Sequence, residues 1–220
     1  MTKTIFFILF LLFFFNSFSQ KKESFFQNEN QNFIVVLDPG HGGKDSGTKT
    51  NNKILEKDIN LYVSKYIQLH LKEFAPNIQV ILTRENDQFI SLKKRPLYAK
   101  ITGADLFISI HCNHNQKNQA KGLEIYIQKM DKITNKEHLK NAHLFGYLLN
   151  DILIKKLEYK SRGIKYKNLS VLRNSINFVP SVLIELGFFS NKNDSEYLTS
   201  KNGMDGIALA ISKSIIDFFE

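Results

Sequence analysis

Between residues 33 and 110, three short apolar runs (Phe33–Asp38, Ile78–Thr83 and Leu106–Ile110) alternate with two stretches whose apolar residues recur at three- and four-residue steps. Few folds accept that order. Strands separated by crossover helices lie parallel in one sheet, and a parallel sheet needs cover on both faces. The first run stops at Pro39-Gly40, as a buried strand does when it enters a tight loop. From Glu56, the residues Ile59, Tyr62, Val63, Tyr66, Ile67, His70 and Leu71 follow helical spacing until near Pro76. Ser91 to Thr102 repeats the pattern with Leu92, Tyr98, Ala99 and Ile101, and Gly103 closes it.

The second half predicts a strand at Leu123–Ile127, a helix from Glu137 to Leu157, a short strand near Leu169–Leu172, a strand at Val182–Glu185 and a last helix over Met204–Phe219. No Pro, Gly or Ser-rich linker interrupts the chain after Phe33. The expectation is one α/β domain over 33–220, built on a mostly parallel, twisted sheet of about six strands with helices on both faces.

Residues 1–32 stand apart. Lys3 precedes an apolar run from Ile5 to Phe15, and Ser17 and Ser19 occupy the small-residue positions before Gln20. A run of about eleven residues fits a signal peptide and falls short of the roughly twenty that span a membrane. Residues 1–19 are therefore expected to be a cleaved signal peptide that sends the domain to a periplasm, the cell wall or the outside, with no membrane span left after cleavage. Residues 20–32, rich in Gln, Asn and charge, read as a flexible spacer.

The net charge of +9 favours anionic partners. An export signal without any nucleic-acid motif turns that preference from nucleic acid to an anionic cell-envelope polymer. The single cysteine, Cys112, allows no intramolecular disulfide.

Ligand crevices of open α/β sheets lie beyond the carboxyl ends of the strands. The first strand leads through Pro39-Gly40-His41-Gly42-Gly43 to Glu56, the third runs into His111, and the strand at Val182 runs into Glu185. Two imidazoles and two carboxylates at one sheet edge are the materials of a catalytic zinc site, with three protein ligands, an open position for water and a base beside it. His41, Glu56 and His111 are the expected ligands of one zinc ion. Glu185 is the expected general base, taking a proton from the attacking water and returning it to the leaving amine. Each residue alone has a plainer reading: a loop histidine, a helix-start carboxylate, a core histidine. Glu185 fits such a reading least, because a carboxylate after Val182-Leu183-Ile184 is costly to bury without a partner.

The segments Val36-Leu37-Asp38-Pro39-Gly40-His41-Gly42-Gly43, Glu56, Ala104-Asp105-Leu106-Phe107-Ile108-Ser109-Ile110-His111-Cys112-Asn113 and Pro180-Ser181-Val182-Leu183-Ile184-Glu185-Leu186-Gly187-Phe188 resemble the N-acetylmuramoyl-L-alanine amidases of the amidase-3 type. Thr83-Arg84, Ser91-Leu92 with Arg95, Gly122-Leu123-Glu124, and Ser161-Arg162-Gly163 leading to Val171-Leu172-Arg173 extend the likeness. The resemblance implies a zinc hydrolase of peptidoglycan that cuts between N-acetylmuramic acid and the L-alanine of the stem peptide. It implies the same roles for His41, Glu56, His111 and Glu185, and it names no protein activator. Cys112 stands where the family often has a small residue, and strand alternation turns it away from the His111 side. Some cell-division amidases carry an inserted helix over the metal; here a short charged stretch at about 129–136 occupies that place.

Two other readings remain open: a zinc peptidase acting within the stem peptide, and a non-catalytic wall-binding module of the same fold. A phosphate loop is excluded because Asp45 follows Gly43-Lys44 where a Ser or Thr is needed, and a serine hydrolase because no G-x-S-x-G is present. Arg84 and Arg95 are expected to pair with scaffold carboxylates, Arg173 to meet an ion-pair partner or a substrate carboxylate, and His114 to be a loop histidine.

Overall fold

In β1 (Phe33–Pro39), Val35, Val36 and Leu37 are all fully buried although they point alternately to opposite faces of the sheet. Each such side chain taken from water contributes about 1.5–3 kcal/mol, so both faces of this strand drive its burial. The computed structural model describes residues 31–116, 119–130 and 135–220. The expected signal peptide and most of the spacer lie outside the described residues.

The compact unit Phe33–Phe219 continues with α1 (Glu56–Phe74), β2 (Ile78–Leu82), α2 (Arg95–Thr102), β3 (Leu106–Asn113), β4 (Leu123–Gln128), α3 (Lys136–Leu157), β5 (Ser161–Lys167), α4 (Ser170–Ser175), β6 (Ser181–Phe188), α5 (Lys192–Thr199) and α6 (Lys201–Phe219). The strands form one six-stranded sheet in the order β2-β1-β3-β6-β4-β5. All neighbours pair in parallel except β6 and β4, which are antiparallel. β4 and β5 therefore begin at the edge where β1, β3 and β6 end.

One face carries α1, α3 and α6, whose Val63, Ile67, Phe145, Leu149, Ile207 and Ile211 meet Val35, Ile108, Ile110, Ile125 and Ile184. The opposite face is covered by α2 and α4, where Ala99, Val171 and Leu172 join Val36, Phe107, Tyr126 and Leu183. Cys112 belongs to the first cluster and is buried, as strand alternation from His111 requires.

The strand expected near Leu169–Leu172 is not there. Leu169 is the N-cap of α4, and Val171, Leu172 and Ser175 are the buried side of that short helix. The fifth strand lies earlier, at Ser161–Lys167, whose sequence SRGIKYK is polar because it forms an edge with little burial to satisfy. The helix α5 is a further difference. Asn191 starts it by accepting hydrogen bonds from the Asn193 and Asp194 amides.

Candidate metal and catalytic site

The loop after β1 is held from below by two buried arginines. Arg95 donates to Asp38 Oδ1 at 2.7 Å and to the carbonyls of Pro39 and His41 at 2.9 and 2.7 Å. Arg84 donates to the carbonyls of Pro39, Gly40, Asn86 and Lys57. Asp38 also accepts from Thr83 Oγ1 and Ser109 Oγ, so its charge is fully met inside the protein. The expected carboxylate partner exists for Arg95; Arg84 serves backbone carbonyls.

Held this way, His41 takes a left-handed backbone conformation, φ 62°. For a residue with a Cβ this costs on the order of 1 kcal/mol, and the arginine clamp supports it. The loop glycines are needed for close approach. A Cβ on Gly40 would lie 2.2 Å from the His111 ring, and one on Gly47, at φ 65°, would lie 2.5 Å from Glu56 Oε2.

Glu56 opens α1, where a carboxylate is favoured by the helix dipole. Its Oε1 lies 3.1 Å from His41 Nε2 and 3.0 Å from His111 Nδ1, and the Cys112 amide donates to it at 3.0 Å. Its Oε2 accepts from the Thr48 amide at 2.8 Å. Burial alone would raise the Glu56 pKa, but the two histidines outweigh it and hold the carboxyl well below the usual range. For His41, burial opposes protonation, yet Glu56 and Asp45 prevail and raise its pKa. The His41 Nδ1 is 2.8 Å from Asp45 Oδ1, an ion-pair distance without hydrogen-bond alignment.

His41, Glu56 and His111 each offer one ligand atom, and these atoms lie within 4.8 Å of one another. This N, N, O donor set, buried on the Glu56 side and open on the histidine side, fits a divalent metal such as zinc with a position left for another ligand. All three predicted ligands meet.

Glu185 lies beside them. It is the register partner of His111 in the parallel β3–β6 pair, so the two side chains share one face of the sheet. Its Oε2 is sealed from solvent and has no hydrogen-bond partner among the described residues. Burial pushes its pKa up to about 7; His111 and Lys167 pull it down, while Glu56 and Glu124 add to the rise. A carboxyl in that range can take a proton and return it near neutrality.

Glu124 is the residue that strand-end reasoning missed. It pairs with Glu185 across the antiparallel β6–β4 step and is buried. Because β4 runs backwards, Glu124 reaches the site from the beginning of its strand. The only signal for it was its place in the family-like segment Gly122-Leu123-Glu124. His114 is not one of the three clustered ligands; it lines a cleft of about 630 Å³ together with Ser46, Gly47, Thr48, Lys49 and Lys53. Arg173 bonds to Asn168 Oδ1 at 2.9 Å. His70, His138 and His143 pair with Asp205, the Ile176 carbonyl and Tyr166, away from the site.

The family model described as N-acetylmuramoyl-L-alanine amidase, Amidase_3, matches residues 35–217. An uncharacterised protein of Bacillus subtilis, YqiI, is 36% identical over 186 residues, which cover 84% of this chain and 84% of that protein. The N-acetylmuramoyl-L-alanine amidase LytC of the same organism is 32% identical over 185 residues, and the match spans 84% of this chain but 35% of LytC. Among solved structures, an N-acetylmuramoyl-L-alanine amidase from Clostridium difficile 630 superposes with a TM-score of 0.75 at 30% identity, covering 86% of this chain and 97% of that one. The catalytic domain of CwlV from Bacillus (Paenibacillus) polymyxa var. colistinus gives 0.71 at 31%, covering 84% and 97%.

Proposed function

The chain belongs to the N-acetylmuramoyl-L-alanine amidase family Amidase_3, and from that premise we propose that it hydrolyses the amide between N-acetylmuramic acid and the first residue of the peptidoglycan stem peptide, with one zinc ion held by His41, Glu56 and His111. The carrying observation is the convergence of ligand atoms from those three side chains within 4.8 Å, beside Glu185 with its buried Oε2 unpartnered among the described residues. Zinc, when bound, supplies Lewis acidity that polarises the amide carbonyl and lowers the pKa of a water to about 7.

The remaining steps fall to the chain. The Thr48 and Cys112 amides hold the Glu56 carboxylate in position, and Asp45 lies 2.8 Å from the outer ring nitrogen of His41. Glu185, kept near neutrality by burial, takes a proton from the attacking water. It then delivers that proton to the nitrogen that leaves with the peptide. No described residue bonds Oε2, which leaves the group available for both transfers. Export and action at the cell wall go with this reading, supported by a relative named as a probable cell wall amidase and by the apolar N-terminal run.

Mass spectrometry of purified peptidoglycan after digestion tests the reading. Free peptides beginning with L-alanine, peptide-free glycan, and loss of both on chelation are expected. Shortened stems still joined to glycan would make the protein a peptidase, and intact peptidoglycan, with zinc supplied, would favour a binding module.

A further inference from the structure

β5 lies two strands beyond β6, at the edge of the sheet. It carries Arg162, Lys165 and Lys167 on the face that also holds Glu185 and His111. The assignment of face follows from register and contact. Lys165 is the partner of Tyr126 and Lys167 of Gln128, while Glu124 and Tyr126 stand opposite Glu185 and Leu183. The irregular register between Leu123 and Ile125 lets Arg162 join them.

One buried acid, Glu124, holds two of the three cations directly. Glu124 Oε1 accepts from Arg162 Nε at 2.6 Å and from Lys165 Nζ. Its Oε2 accepts from Asn113 Nδ2 at 3.0 Å and from the Tyr126 hydroxyl at 2.6 Å. Aromatic rings form the floor: Lys167 Nζ sits 4.5 Å above Tyr126, and the Arg162 guanidinium 5.3 Å above Phe188. About a third of the Arg162 and Lys165 side chains remains exposed, at 33% and 35%, and Lys167 is exposed. Arg162 uses Nε for Glu124 and retains its paired Nη donors, the fork that matches a carboxylate. One carboxylate against three cations leaves positive charge facing outward on the strand face shared with Glu185.

We infer that this strand is the subsite for a carboxylate of the peptide leaving group, an inference that rests on the amidase reading. A peptide joined through its amino end has no ammonium there and carries at least a carboxylate at its other end. Cations on the leaving-group side are therefore complementary to it. Strands lie about 4.8 Å apart, which places β5 roughly 10 Å from β6, the span of about three extended residues. The recognised carboxylate belongs two or three residues beyond the scissile nitrogen. The peptide then lies across β4 and β5, and the glycan on the side of the β1 loop.

The test uses the full chain with zinc and two synthetic N-acetylmuramoyl peptides that differ only in free or amidated carboxylates on the second and third residues. The acid is expected to be preferred about five- to tenfold in kcat/KM, with the difference in KM. The double variant K165Q/K167Q should erase this preference, and K167E, at an exposed position, should reverse it. Arg162 is left in place so that Glu124 keeps a cation. Equal handling of the two peptides by the wild type, or a preference that survives both variants, would overturn the subsite. If neither peptide is cut, the amidase reading fails and fluorescence anisotropy decides the subsite separately. Tighter binding of the labelled acid peptide than of its amide, lost in K165Q/K167Q, would uphold it; equal binding would remove it.

Discussion

In the proposed mechanism the base is Glu185, with its Oε2 unpartnered among the described residues. Replacing it by glutamine keeps shape and polarity but removes the ability to accept a proton. A general base contributes about 10² to 10⁴ in rate, so Glu185→Gln should lower kcat by that factor while the zinc content, read by atomic absorption, stays at the wild-type level. Full activity in that variant would take the role from Glu185. The other site residues differ in kind. His41, Glu56 and His111 were legible in the sequence because each closes or opens an element at the carboxyl edge of a parallel sheet. Asp45 and Glu124 were not, since a loop aspartate and an acid near the start of a strand have no position rule to mark them. The need for Gly40 is visible only from the 2.2 Å approach to the His111 ring, which no local turn preference predicts.

At the level of elements, the β1–α1 loop depends on arginines that come from elsewhere in the chain. Arg95 starts α2, and Arg84 follows β2, yet both end under the carbonyls of residues 39–41. Truncating one partner of a buried pair leaves the other charge without compensation, at a cost of about 3–5 kcal/mol. Arg95→Ala should therefore unfold at a much lower urea midpoint than the wild type, and its zinc affinity should fall with the loss of the His41 loop. A midpoint within error of the wild type would show that the clamp is dispensable. The sequence revealed β1, β3, β6 and α1 because burial on one or both faces writes a period into them. It concealed β5, whose edge position demands little burial, and made the apolar start of α4 look like a strand. Three close apolar residues, Leu169, Val171 and Leu172, suit either a strand or one turn of helix; docking against Val36 and Phe107 selects the helix.

For the molecule as a whole, Glu124 links the catalytic face to acid stability. Burial would raise its pKa, but Lys165, Tyr126 and Arg162 outweigh that and hold it at about 2, against an ordinary 4.5. A carboxyl with a depressed folded pKa gives stability that is complete above its unfolded value and disappears as pH falls through the folded one. The contribution should be constant above pH 4.5 and fade between there and pH 2. Glu124→Gln should flatten the melting temperature over that window relative to the wild type; an unchanged slope would place the acid sensitivity elsewhere. Among the described residues no helix is long and apolar enough to cross a membrane.

An open sheet has two free margins, and each is a template on which a second copy could polymerise. On β5 the row Arg162, Lys165 and Lys167 makes such pairing repulsive, since a like strand would bring like charges together. On β2 the Gln68 amide donates to the Val80 carbonyl at 3.2 Å and occupies an acceptor that another strand would need. The strand proposed to meet the peptide carboxylate thus also disfavours edge pairing with a second copy. Neutralising Lys165 and Lys167 for substrate studies therefore carries a liability in concentrated solution, where edge-to-edge association is expected to rise.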